Sequence, residues 1–454
     1  MSVHRPVLAN AYARPLVRPK RSITIFGFSI RETFLILIIA FPCLGTLFPL
    51  DSYLIPIGLN TLVPKTPFNT TIILTVILSY VLWLFAQRPQ FSILVLRRNW
   101  PIFLFILWAM ITSRWAETPG TSFNRSGRLL VFSLYAIYLV EFIPLQRLLK
   151  MLFIALLISC VVSLAMIVAM PALSLTTDER GAWRGAMQHK NGLGVTVAFA
   201  FTISLICGYL KVYPLKYVVP LALLALLLLK LANSATAILA LAVVTAVIVI
   251  ILFVVNRTRS PIVTLAFAAA GVGILAVVVL SSGILFSILG REGTLTGRAD
   301  IWGFAWGMIA ENPIWGYGQG AWTFEWMKKL AYAELGWPIA HAHNAWIDFR
   351  FQLGLPGVTL AVLMWAVATI NLLTLIAKRQ ALPIVLPMAV FLLLSFRSYS
   401  ETIIVDPALN DMFWFAFAVA SFARSASVVR QNEARFSGRR QLKERRDRYR
   451  TLPT

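Results

Sequence analysis

The stretch HAHNAWIDFRFQLGLPG, residues 341–357, carries the side chains in this chain best suited to acid–base chemistry. A helix from Asn344 to Leu353 would bury Ala345, Trp346, Phe349 and Leu353 on one stripe. It would align Asn344, Asp348 and Gln352 as a polar row. His343 then stands at the helix start, with Arg350 two turns on along the same side. A cation there favours the neutral imidazole that a general base requires. A surface histidine satisfying a helix end fits the same residues. Asn344 and Arg350 are the candidate substrate contacts beside it.

Two further segments carry cations suited to an anionic ligand. DERGAWRGAMQHKN supplies Arg180, Arg184, His189 and Lys190, with Asp178 and Glu179 as the only acids among them. GRADIWGFAWGMIAENP has the spacing of an amphipathic helix from Arg298 to Glu311, with Ile301, Trp302, Ala305, Met308 and Ile309 on one face. Its Trp-rich face suits a helix lying at a membrane surface. Arg298 would sit in the first turn, where free N–H groups and the helix dipole favour an anion that a guanidinium can clamp with two hydrogen bonds. Pairing with Asp300 is the plainer alternative. GYGQG, residues 316–320, lacks the strand and helix context of a phosphate-binding loop, so a flexible reversal between interfacial helices is expected. His341 and His343 offer two ligands and no third, so no metal and no cofactor is assigned.

The elements that must position these residues are membrane helices. Of the 454 residues 59% are hydrophobic and 13% charged, with a mean hydropathy of +0.78. A soluble domain would carry about a quarter charged residues. The sequence predicts an all-α polytopic membrane protein with about twelve spans, near 33–50, 68–86, 100–113, 128–144, 148–171, 191–210, 213–231, 235–255, 261–289, 355–377, 381–396 and 411–424. A basic tail (1–32) precedes the transmembrane domain (33–424) and a second one (425–454) follows it. The first apolar stretch has the character of a retained anchor. The long loop 290–353, holding amphipathic helices, and the segment 172–190 contain three of the four histidines. Cys43, Cys160 and Cys207 fall in apolar runs and act as small hydrophobes.

His343-Asn344 and, nine residues on, Gly354-Leu355-Pro356-Gly357 resemble the H-N-x9-G-x-x-G pattern of the O-antigen ligase and Wzy polymerase superfamily. Trp183-Arg184-Gly185 with His189-Lys190-Asn191-Gly192-Leu193-Gly194 is similar to a segment of its ExoQ-like exopolysaccharide polymerases. Gly297-Arg298, Ile301-Trp302, Asn312-Pro313 and Gly316-Tyr317-Gly318 resemble that family's long loop. The resemblance implies inverting, metal-independent glycosyl transfer from an undecaprenyl-diphosphate-linked oligosaccharide at the periplasmic face. It implies His343 as base, and Arg298 and Arg184 as catalytic diphosphate clamps. Arg180, His189, Lys190, Asn344 and Arg350 follow as substrate contacts. The product would be an exopolysaccharide, with polysaccharide export and chain-length proteins as partners. The alternatives are an O-antigen ligase with a lipid A-core acceptor and, from another class, a twelve-span secondary transporter. A transporter would place ionisable groups at mid-membrane, whereas most charges here lie at span ends or in loops.

With the N-terminus cytoplasmic, 27 of the 41 Lys and Arg fall on the inner side, the bias expected of a bacterial inner-membrane protein with both termini inside. Almost all of the +23 net charge is thereby explained without a nucleic-acid partner. Reporter fusions at residue 320 should report the periplasm, and fusions at 258, 379 and 440 the cytoplasm. A cytoplasmic report at 320 would overturn the topology and the site together.

Overall fold

In a bilayer every backbone N–H and C=O must find its partner inside the protein, so long apolar runs fold as helices. The computed structural model describes residues 24–43 except 26, 68–175 except 88, 181–257 except 188, 293–378 except 338, 384–405 and 411–450, with scattered positions between 260 and 270. The first part of the bundle comprises α1 (Ile30–Cys43), α2 (Phe68–Ala86), α3 (Pro89–Arg98), α4 (Trp100–Ile111), α5 (Pro119–Phe142) and α6 (Leu145–Ala169). Then follow α7 (Lys190–Tyr209), α8 (Leu215–Ala232) and α9 (Ala235–Arg257). The long loop holds α10 (Gly293–Glu311) and α11 (Glu325–Leu335), and the chain closes with α12 (Ala345–Ala377), α13 (Val385–Arg397) and α14 (Asp411–Arg450).

Every expected span has a helix here except 261–289, most of which lies outside the described residues, as does the N-terminal tail before residue 24. Among the described residues, six helices are long and apolar enough to cross a membrane: α6, α7, α8, α9, α12 and the first part of α14. The chain is a multi-pass, all-α membrane protein. Cys160 and Cys207 are buried between its helices.

The last helix differs from expectation. It continues through the basic tail to Arg450, and 72% of its apolar window is buried, against 33% for α8. A helix apolar on all sides belongs inside a bundle. Met412 to Ala420 are accordingly buried without interruption, and α14 packs on α5, α12 and α13.

The long loop builds a second, smaller core. Ile301, Phe304, Ala305 and Met308 of α10 meet Trp322, Met327 of α11, Ile347 and Phe351. The apolar stripe of α10 therefore faces protein, while Trp306 on the other side is 54% exposed.

This cap is fastened where α12 breaks. Gly354 has φ 68° and ψ −166°, a conformation essentially confined to glycine. The break frees carbonyls that an unbroken helix would use internally. Phe351 O accepts from Tyr317 N at 3.0 Å and Gln352 O from Gly318 N at 2.8 Å. Leu353 O accepts from Trp108 Nε1 at 2.8 Å, and Leu355 N donates to Ile314 O at 2.8 Å. GYGQG is thus a pinned turn and not the flexible reversal its composition suggested. Gln319 is buried, donating from Nε2 to Val405 O at 2.6 Å, and Gly320 N donates to Gln352 Oε1 at 2.7 Å.

A Cβ at Gly354 would lie 2.1 Å from Ile314 O. Gly354→Ala should add about 1–3 kcal/mol of backbone strain and a clash with backbone that cannot yield. We expect a lower melting temperature and reduced yield of monodisperse protein in detergent. An unchanged melting curve would mean that the cap is not fastened here.

Candidate functional site

The site grows from helix ends. His189 caps α7, its Nδ1 accepting from Asn191 N at 3.3 Å, which puts Asn191 in the first turn. Asn344 caps α12, its Oδ1 accepting from Trp346 N at 3.0 Å and Ile347 N at 3.2 Å. His343, just before that cap, has φ 51°, a left-handed conformation uncommon outside glycine. Between α13 and α14 the chain makes an inward strap, Ser398 to Val405, whose last five residues are buried.

The strap is held by backbone and side chain together. Ala345 N donates to Ser398 O at 2.8 Å, and Trp346 Nε1 to Ser398 Oγ at 3.2 Å. Arg397 and Asp411, both buried, pair at 2.7 Å across its foot. Asp348 of α12 is fully buried and joins three segments. It accepts from Trp322 Nε1 at 2.6 Å, from Ala342 N at 3.3 Å and from the Thr402 hydroxyl. Asp348 and Gln352, expected on a polar face, are therefore internal ties between α12, the cap and the strap.

Glu401 projects from the strap into the middle of this arrangement and is 4% exposed. Its Oε1 accepts from Asn191 Nδ2 at 2.7 Å and lies 3.5 Å from Arg298 Nη2; its Oε2 lies 3.4 Å from His343 Nδ1. Burial pushes the Glu401 carboxyl up. The hydrogen bond from His343 and the charges of His343, Arg298 and Arg397 outweigh it and hold the carboxyl at about 2. An ionised carboxylate only accepts, so His343 must carry its proton on Nδ1. In the neutral imidazole, Nε2 would then hold the free lone pair that a general base needs. The His343 side chain is 30% exposed, whereas that of Glu401 is 5% exposed.

Of the expected site residues, the structure brings His343 and Arg298 together through Glu401. The partner it gives His343 is this carboxylate, where the sequence suggested Arg350. Arg298 lies one turn deeper in α10 than expected, because the helix starts at Gly293, so its pairing with Glu401 replaces the helix-start argument. Arg184 is half-buried in the neighbouring segment, where its N–H donates to Ser174 O at 2.8 Å. Lys190 is buried, and the Asn344 amide serves the α12 cap. Arg350 Nη1 is buried with no acceptor among the described residues. Arg180 lies outside the described residues. The His341 ring meets the His343 ring edge-on at 4.1 Å.

Sequence reasoning missed Glu401 and Asn191. The available signal was an acid in a short loop at the histidine's end of the bundle, but nothing in SYSETIIV singles it out.

Helical bundle, loop cap and a Glu–His–Arg cluster centred on buried Glu401 define a polytopic membrane protein with a polar site at one end. Residues 220–362 match the family described as O-antigen ligase. The family implies glycosyl transfer of the ligase or polymerase type. The match takes in Ser234, Arg298, His343 and Arg350 and leaves out Arg184, Asn191 and Glu401. No curated protein matches the chain.

Glu401 binds its proton less readily when folded than when unfolded. The stabilisation it brings is therefore complete above about pH 4.5 and is lost as the pH falls towards about 2. Melting temperatures of the wild type and Glu401→Gln in detergent should differ at neutral pH and converge across that acid window. A gap that persists below it would show that the carboxylate's charge is not what stabilises the cluster.

Proposed function

We propose that the protein polymerises exopolysaccharide repeat units at the periplasmic face of the bacterial inner membrane, from an undecaprenyl-diphosphate-linked oligosaccharide. The observation that carries this reading is the partly exposed His343, whose Nδ1 faces buried Glu401 beside Arg298. Nε2 takes the proton of the acceptor hydroxyl as its oxygen attacks the anomeric carbon. The bond from that carbon to the diphosphate breaks on the opposite face, and the lipid diphosphate leaves with the electron pair. Arg298, with Arg184 from the adjoining segment, offsets the charge that grows on the leaving group. Arg350, with an unused buried donor, contacts a phosphate or sugar oxygen. The bond energy comes preloaded in the donor, and fixed cations stabilise the departing diphosphate. Both termini lie in the cytoplasm, and export and chain-length proteins are the expected partners.

The family match favours a second reading, an O-antigen ligase, in which the same chemistry delivers the glycan to a lipid A-core acceptor. The polymerase reading is supported by Trp183-Arg184-Gly185 and His189-Lys190-Asn191-Gly192-Leu193-Gly194.

One strain set tests both. His343→Ala should lower product formation by about 10²–10⁴ at normal abundance in the membrane, and His341→Ala much less. In the deletion strain a lost polymerase leaves single repeat units on the lipid carrier. A lost ligase leaves long chains on it. Wild-type carrier-linked glycans in that strain would overturn both readings.

A further inference from the structure

Behind Glu401 the polar contacts continue into the bundle. Ser234 stands just before α9 and is 2% exposed. Its Oγ lies 3.0 Å from Asn191 Oδ1, and the Asn191 Nδ2 lies 2.7 Å from Glu401 Oε1. The two helix starts can approach because residue 194 is glycine: a Cβ there would come within 2.8 Å of Ala237 Cβ and 3.0 Å of Ser234 Cβ.

The direction of every hydrogen bond in this chain follows from one fact. An ionised carboxylate has no proton to give, so Asn191 must turn its NH₂ group towards Glu401 and its carbonyl towards Ser234. Ser234 must then donate, and its own lone pair accepts from Ala237 N at 3.4 Å. At the far end Glu401 Oε2 accepts from His343 Nδ1. We infer that Asn191 and Ser234 are positioning residues, which hold the Glu401 carboxylate in the rotation that fixes His343 as the Nδ1–H tautomer. Without Asn191, Oε1 keeps among the described residues only the long contact to Arg298 at 3.5 Å. The carboxylate then turns towards that guanidinium and its hold on the imidazole weakens. Neither residue touches the reacting atoms; both act through Glu401.

The inference rests on the reading of His343 as base, and its test separates the two. Full-length protein labelled with ¹⁵N-histidine, in lipid nanodiscs, reports the ring tautomer directly, with His343→Ala assigning the signal. The wild type should show Nδ1 protonated and Nε2 bare. In Asn191→Ala the two tautomers should mix, and turnover of lipid-linked glycan should fall about 10- to 100-fold with little change in KM. Ser234→Ala should move both readouts in the same direction and less far. Asn191→Asp keeps the shape but sets a second carboxylate against Glu401, and it should be at least as impaired as Asn191→Ala. Melting temperatures near that of the wild type identify variants that still fold. A folded Asn191→Ala whose His343 keeps the wild-type tautomer overturns the inference, whatever its turnover. A tautomer that shifts in a protein whose wild type transfers no lipid-linked glycan upholds the inference and sinks the proposed function instead.

Discussion

An ionised carboxylate shut away from water costs several kcal/mol unless donors converge on it. Glu401 meets that demand with groups from three places far apart in the sequence: Asn191 at the start of α7, Arg298 in α10 and His343 before α12. None of them can drift far without leaving the charge exposed to an apolar interior. The strap that carries Glu401 is fixed in turn by the Arg397–Asp411 pair at its foot and by Asp348 through Thr402. The helix ends, the cap and the strap thus share one electrostatic constraint, and His343 is held against Glu401 by it.

A second constraint is the accounting of backbone groups. Breaking α12 at Gly354 frees carbonyls in a protein with little water to satisfy them. The turn at 316–320 supplies the N–H groups, and it can come close enough because Gly316 and Gly354 lack side chains: a Cβ on Gly316 would lie 2.6 Å from Gly354 N. The glycines of the long loop and those after α12's first turns are therefore one structural device. It seats the cap on the bundle and sets where α12 begins, hence where His343 stands.

The opposite end of the bundle handles charge differently. Arg98 and Arg424 both reach Glu141, Arg147 pairs with Glu32, and Lys378 with Glu433. These pairs tie helix ends to one another. At the His343 end the carboxylate instead meets a partly exposed imidazole, and Arg350 Nη1 is buried without an acceptor among the described residues.

The apolar helices and the long loop with its histidines were legible in the sequence because each is a local property. Run length decides what can cross a bilayer, and residue type decides what can move a proton. The extent of α14 was obscured because a basic tail can continue a helix that begins as an apolar span. Glu401 was illegible for a different reason. It lies in an ordinary loop, and only folding sets it against a histidine encoded 58 residues earlier. The same holds for Asn191, for the rigidity of GYGQG and for the inward turn of Asp348. Each is decided by a partner distant in sequence, and the choice among possible partners is made by packing, which composition and spacing do not encode.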